Sequence, residues 1–166
     1  TVGQLHDVLT RENQQLPIDT RDDGISIGDL VAFDINGPRR YGYGTLRDYV
    51  IGIEAHDGKG RVFHAGGRVV KNVAGYDVSR MQAGAMGTLG IITEVSLKVM
   101  PKPAATVTIK QEMDAAKAIE TMNRLSGKSK PLTGACWFDN HLYLRLAGAR
   151  SAVDSTVNQW LGAILE

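Results

Sequence analysis

The chain has 166 residues, of which 43% are hydrophobic and 22% charged, and its formal net charge is +1. That length fits one domain or one and a fraction, and it can bury a core without a disulfide or metal staple. The scattered, nearly balanced charge lacks the footprint of a nucleic-acid binder, and no apolar run approaches the roughly 20 residues that a membrane span needs.

Thr1 and Gln4 have capping-box spacing, and Leu5, Val8 and Leu9 recur at helical intervals. A short amphipathic helix is therefore predicted from Val2 to Asn13, ended by Pro17. Residues 19–29, "DTRDDGISIGD", read as a loop rich in Asp and Gly. "YVIGIEA" at Tyr49–Ala55 and "RVFHAG" at Arg61–Gly66 flank "DGKG", which predicts a β-hairpin. Residues 71–90 are glycine-rich, and "GIITEVSLKVM" at Gly90–Met100 follows as a β-branched strand of the kind built for burial.

"PKPAA" at residues 101–105 reads as an extended joint between domains. Beyond it the predicted order is β-α-β-β-α. "TVTIK" is a strand, and the next helix is capped by Asp114 and stopped by Gly127. "GACWF" and "HLYLRL" are strands joined at Asp139–Asn140. Ser151 and Asp154 form a capping pair for a last helix with Val153, Val157, Trp160, Leu161 and Ile164 inward. A ferredoxin-like split βαββαβ unit needs one more strand. The expectation is that the polypeptide is cut, or that the last strand comes from elsewhere.

The single cysteine, Cys136, rules out an internal disulfide framework and points to a reducing compartment. Beside Trp137 and Phe138 it reads as a buried structural thiol. None of His6, His56, His64 and His141 shares metal-ligand spacing with another His or with Cys136, so no metal site is predicted. P-loop, dinucleotide-fingerprint and nucleophile-elbow motifs are absent from the sequence.

Four stretches concentrate glycine at predicted loops and strand edges: "ISIGD" (Ile25–Asp29), "NGPRRYGYG" (Asn36–Gly44), "KNVAGYD" (Lys71–Asp77) and "GAMGTLGIIT" (Gly84–Thr93). Glycine lets a backbone N–H approach an anion or a ring that a Cβ would hold off. Singly, each stretch also reads as turn chemistry; together they point to a backbone surface shaped for a ligand.

The run "RYG…RD.V.G", then "KN.AGYD", then "G…GTLGIITE", resembles the FAD-binding domain of the vanillyl-alcohol oxidase and p-cresol methylhydroxylase family. Within that family it looks like the FAD-binding subunits of bacterial glycolate oxidase. The resemblance is closest over residues 24–103 and extends over nearly the whole chain. It implies an α+β fold: the second subdomain of an FAD-binding domain over residues 1–100, a linker at 101–105, and a partial ferredoxin-like cap domain over 106–166. The family's pyrophosphate-wrapping loop belongs to a first subdomain with no counterpart in this sequence, so the stretch alone is expected to bind FAD weakly or not at all and to be inactive.

Carried over position by position, the resemblance implies cofactor contacts from Ser26, Ile27 and Gly28, from Asn36, Gly37 and Arg40, from Asn72, Gly75 and Asp77, and from Gly87, Thr88, Gly90, Ile91 and Ile92. Asp77 reads equally as a turn-stabilising side chain, and Arg39 and Arg40 as a solvated pair of charges. Two departures from the family pattern stand out. Asp29 occupies the second position of a Gly-Gly pair, where a carboxylate would repel phosphates, and Ala85-Met86 replaces a Ser-Glu pair. The implied function is FAD-dependent oxidation of a small 2-hydroxy acid, glycolate, with hydride passing to the flavin. The implied partners are a second flavin subunit and an iron–sulfur subunit, without nucleic acid or a membrane span. The implied location is cytoplasmic, held at the inner face of the cell membrane through those subunits. No residue stands out as a general base. The alternative is a non-catalytic scaffold subunit of the same complex that keeps the flavin fold and binds FAD weakly or not at all. A general nucleotide- or anion-binding module, accepting ADP as readily as FAD, is a third reading.

Overall fold

A computed structural model describes residues 1–67, 77–128 and 130–164, with backbone only for 161–164. Its elements in chain order are α1 (Val2–Arg11), β1 (Gln14–Gln15), α2 (Ile27–Ala32), α3 (Arg40–Tyr43), β2 (Val50–His56), β3 (Val62–Gly66), α4 (Val78–Met81), β4 (Ile91–Leu97), β5 (Met100–Pro101), β6 (Ala105–Glu112), α5 (Ala115–Ser126), β7 (Leu132–Phe138), β8 (His141–Gly148) and α6 (Arg150–Ile164). A single 3-10 turn spans Leu46–Asp48. The chain forms two compact units: Thr1–Gly37 with Gly44–Lys102, and Pro38–Tyr43 with Pro103–Glu166.

In the first unit α1 starts on the expected capping box. The Thr1 hydroxyl accepts from the Gln4 amide, and the Gln4 side chain accepts from the Thr1 amino group. The predicted hairpin forms as β2 and β3, antiparallel, and β4 pairs on the other side of β2 to give the order β3-β2-β4. Ile53 and Ala55 of β2 are buried on one face, while Glu54 and His56 are half-exposed on the other. Gln14–Gln15 pairs with Met100–Pro101, so the start of the expected linker is part of a two-stranded ladder.

Three local expectations need correction. β4 has no buried residue, and Ile91 is 73% exposed, because β4 is an edge strand that pairs with β2 alone. "ISIGD" is a helix start rather than a loop: Ser26 is the N-cap of α2, so its polar side chain serves the helix rather than breaking it. α6 starts at Arg150, and the amides of Ala152 and Val153 donate to the Ala149 carbonyl, so Ser151 lies inside the helix instead of capping it.

In the second unit β8 is central, flanked by β6 and β7, all antiparallel. Leu142, Leu144 and Leu146 of β8 are buried in one cluster with Ala118 and Leu125 of α5 and with Val153 and Trp160 of α6. The helices therefore cover one face of this sheet. Asp114 caps α5, its carboxylate accepting from the Lys117 amide, and Gly127 follows the last turn. Asp139 and Asn140 both have positive φ, 49° and 56°, as a two-residue type I′ hairpin turn requires. α3 packs against β7 so closely that a Cβ on Gly42 would lie 2.6 Å from Thr133 Cα. Cys136 is half-buried rather than fully buried, since it sits on the face turned away from α5 and α6.

Candidate functional site

Within the first unit the structure ties the glycine-rich Gly84–Thr93 stretch to the far end of the helix that "ISIGD" begins. The carbonyls at the end of α2 accept from the loop that precedes β4: Gly84 N–H donates to Val31 O at 3.0 Å, and Met86 N–H donates to Ala32 O at 2.8 Å. The loop from Gly84 to Gly90 is thereby fixed along α2 while staying largely on the surface. Gly84 and Gly87 have φ of 79° and 75°, and Met86 between them has φ 53° although it carries a side chain. Gly90 has φ 151°, and a Cβ there would lie 2.7 Å from the His56 carbonyl oxygen.

Among the described residues, the N–H groups of Gly87 and Leu89 donate to no acceptor, whereas those of Thr88 and Gly90 close turns onto Ala85 and Gly87. Free amides two residues apart on an exposed loop suit an oxygen-bearing ligand. Beside this loop, Asp34 Oδ1 and Gln82 Oε1 are buried acceptors with no donor among the described residues, and Gln82 is only 2% exposed. The free amides and the bare Cβ position at Gly87, where nothing lies within 4 Å, fit a large phosphorylated cofactor.

The other expected contact residues have local work of their own. Ser26 and Asp29 cap α2, the Asp29 amide donating to Ser26 Oγ at 2.9 Å and the Ser26 hydroxyl donating to Asp29 Oδ2 at 2.7 Å. Gly28, in the first turn, faces open space apart from Ser26 Oγ, 3.7 Å from an ideal Cβ. Asn36 closes a loop: its Oδ1 accepts from the Leu46 amide at 2.7 Å, and its Nδ2 donates to the Asp34 carbonyl at 2.6 Å. Gly37 is obligatory, since a Cβ would lie 2.4 Å from Asp19 Cβ. Thr88 donates its hydroxyl to the Ala85 carbonyl at 2.6 Å. Ile91 is exposed, and Ile92 pairs with Ala55. Arg40 is exposed on α3 and belongs to the second unit, whereas the rest of the described set belongs to the first. Asn72 and Gly75 lie outside the described residues.

Asp77 is the N-cap of α4. Its carboxylate accepts from the Arg80 amide at 3.1 Å and from the Ser79 hydroxyl at 2.8 Å, and it pairs with Arg80 Nε at 3.2 Å. Burial acts to raise its pKa, but the Ser79 and Arg80 hydrogen bonds and the charges of Arg80 and Arg47 outweigh it and hold the carboxyl below its ordinary value.

One feature of the open face of the β3-β2-β4 sheet could not be read from sequence. Pairing sets His64 and Glu94 on either side of Glu54, with His64 Nδ1 3.7 Å from Glu54 Oε2. They line a cavity of about 180 Å³ floored by Gly52, Gly66 and Gly67. Its carboxylates make it hostile to a pyrophosphate. The residues share a face only through strand register, which the separated stretches do not reveal. Among the described residues no group of three His, Cys, Asp or Glu side chains could hold a metal ion, and no helix is long and apolar enough to cross a membrane.

No family model matches the chain. Glycolate oxidase subunit GlcE of Escherichia coli (strain K12) is 40% identical over 126 residues, which cover 76% of this chain and 36% of that protein. Glycolate oxidase subunit GlcD of Bacillus subtilis (strain 168) is 43% identical over 84 residues, 51% of this chain and 18% of that one. D-lactate dehydrogenase of Archaeoglobus fulgidus is 32% identical over 102 residues, 61% of this chain and 23% of that one. A shorter match, 36% identical over 77 residues, joins 46% of this chain to 17% of an FAD-linked oxidoreductase of Mycobacterium tuberculosis. The chain thus spans little more than a third of the length of GlcE and less of the others. Among solved structures, alkyldihydroxyacetonephosphate synthase superposes with a TM-score of 0.73 at 18% identity, covering 98% of this chain and 38% of that one. The resemblance carried by the glycine-rich motifs is thereby shown: over 126 residues the chain is similar to a glycolate oxidase subunit, and its fold is α+β.

Proposed function

We propose that the chain is the FAD-binding second subdomain, followed by a partial ferredoxin-like cap, of a flavin-dependent 2-hydroxy-acid oxidoreductase of the glycolate oxidase type. The observation that carries this reading is the exposed Gly84–Gly90 backbone, fixed to the end of α2 and offering free amides at Gly87 and Leu89, in a chain 40% identical to GlcE over 126 residues. Bound FAD would supply the redox chemistry, taking hydride from the hydroxyl-bearing carbon of the acid. The chain's own part is positioning. The loop amides receive phosphate or ring acceptors, while Gly28 and Gly87 leave room for close approach of the backbone, and Gly90 lets the loop pack against the His56 carbonyl. Asn36, Gly37, Thr88 and Asp77 fix the surrounding turns, and Ser26 holds the Asp29 carboxylate at the helix start. Ile27, Ile91 and Ile92 supply apolar surface, and Arg40 of the second unit enters the set by resemblance alone. Asn72 and Gly75 complete the set by resemblance. The partners proposed are a second flavin subunit and an iron–sulfur subunit, with a cytoplasmic location at the inner membrane face through them.

The experiment is a thermal melt of the chain with millimolar FAD or ADP, beside flavin absorbance after gel filtration. Weak FAD binding raises the melting temperature in proportion to RT ln(1 + [L]/Kd), and ADP has less effect. An unmoved melt with no retained flavin removes FAD binding from this chain and leaves the scaffold reading; equal shifts with ADP turn it into a general nucleotide-binding module. A scaffold subunit of the same complex is the second reading. It is favoured by Met86, whose left-handed backbone and 68% exposed side chain stand within the loop that would receive the cofactor.

A further inference from the structure

We infer that residues Pro38–Tyr43 form a strap that guards the outer edge of β7, anchored by Tyr41 on α5, and that release of the strap opens this edge to pairing with another strand. This goes beyond the proposed function and needs no cofactor, since it rests on contacts inside the second unit alone.

The strap comes from the first half of the sequence, yet it belongs to the second unit together with Pro103–Glu166. Its local chemistry makes a single helical turn. The Tyr41 amide donates to the Pro38 carbonyl at 3.3 Å, and the amides of Gly42 and Tyr43 donate to the Arg39 carbonyl at 3.1 and 3.0 Å. Pro38 fixes φ where the turn begins, and Gly44, at φ 85°, lets the chain turn away after it. One turn does not hold itself in water, so its tertiary contacts keep it in place.

Those contacts run from one face of the second sheet to the other. β8 is the only ladder partner of β7, which leaves β7 at the sheet edge. Leu142, Leu144 and Leu146 of β8 face α5 and α6, and Gly134 pairs with Arg145 of the alternate set, so Gly134 lies on the opposite face. There the Pro38 carbonyl oxygen and Arg39 Cα lie 3.4 and 3.5 Å from the position of a Cβ on Gly134. At the edge, Gly42 presses on the main chain: a Cβ on it would lie 2.6 Å from Thr133 Cα and 2.8 Å from the Leu132 carbonyl oxygen. On the helix side, Tyr41 packs against the core cluster of the unit, and its hydroxyl donates to the Met122 carbonyl of α5 at 2.9 Å. A segment that touches both faces and the main chain between them passes around the β7 edge. The composition of the two edge strands says why β7 needs this cover. β6 carries Lys110 and Glu112, whereas β7, "LTGACWF", has neither a charged residue nor a proline. Charges and prolines blunt an exposed edge; a strand without them is left to be covered by a helix or loop.

The test is hydrogen–deuterium exchange of the whole chain, with sedimentation velocity on the same samples. Tyr41→Phe removes only the hydroxyl. It should speed amide exchange in β7 and at the end of α5 about fivefold, as loss of one hydrogen bond does, and leave the β2–β3 hairpin of the first unit at the parent rate. Gly42→Ala drives the turn off Thr133. It should accelerate β7 more strongly and add concentration-dependent self-association, because the uncharged edge is then open. Parent exchange rates at β7 in Tyr41→Phe overturn the inference. Equal acceleration in the β2–β3 hairpin also overturns it, since that marks loss of the whole fold. A Gly42→Ala chain that exchanges fast at β7 yet stays monomeric shows that the edge needs no guard, and overturns it as well. Tyr41→Phe keeps the ring and the packing, so it decides the strap even where Gly42→Ala fails to fold.

Discussion

Ser26 and Asp29 hold each other at the start of α2: the Asp29 amide donates to Ser26 Oγ, and the Ser26 hydroxyl donates to Asp29 Oδ2. The carboxylate that breaks the family's Gly-Gly pattern is therefore occupied at the positive end of a helix, where a negative charge is favoured. Ser26→Ala should cost about 1 kcal/mol, as loss of an N-cap does, measured by denaturant unfolding. It should also free Asp29 and weaken FAD binding further; unchanged FAD affinity would separate this cap from the cofactor surface.

Gly28 lies inside the first turn of α2 with normal helical backbone and open space around its missing side chain. Gly28→Ala should stabilise the free chain by about 0.5–1 kcal/mol, because alanine loses less backbone entropy in a helix. If the glycine serves close approach of the cofactor, the same variant loses FAD-induced stabilisation. A melt with and without FAD reads both effects.

Asn36 bonds on both sides of a chain excursion, to Leu46 and to Asp34. Asn36→Ala leaves the Leu46 amide without its acceptor at a buried residue and should cost about 1–3 kcal/mol. Asn36→Asp keeps the acceptor and should recover part of that loss in the same unfolding series.

Gly37→Ala places a methyl group within 2.4 Å of Asp19 Cβ. The backbone has to move, and a loss of about 1–3 kcal/mol is expected, in the range of overpacked positions. A midpoint in urea equal to that of the parent chain would show that the turn can relax freely.

The Thr45 amide donates to the Asp48 carboxylate at 2.9 Å, and this bond, outweighing burial and aided by the Thr45 hydroxyl and the charges of Arg80 and Lys98, holds the Asp48 carboxyl below its ordinary value. A carboxyl whose pKa falls on folding contributes stability that is complete above its unfolded value, about 3.9, and is lost as pH drops through the folded value. Asp48→Asn should therefore be less stable than the parent chain at pH 7, with the difference narrowing below about pH 4. A gap that stays constant down to pH 2 would rule out this linkage.

Much of this protein was legible in local sequence. Capping pairs at Thr1–Gln4 and Asp114, the hairpin turn at Asp139–Asn140, and the alternation that buries Leu142, Leu144 and Leu146 all depend on residues a few positions apart. Such signals act through hydrogen bonds and side-chain periods that the chain sets by itself. The glycine-rich motifs likewise carried the resemblance without any structure. Only the tertiary structure decided which stretches meet. It bonded Gly84 and Met86 to the end of α2, left β4 at a sheet edge with Ile91 exposed, and assigned Arg40 to the second unit. It also set His64 and Glu94 beside Glu54, and Lys110 beside Tyr143. Those relations follow from strand register and long-range backbone pairing, which depend on the whole chain folding around one core in each unit and have no local signature.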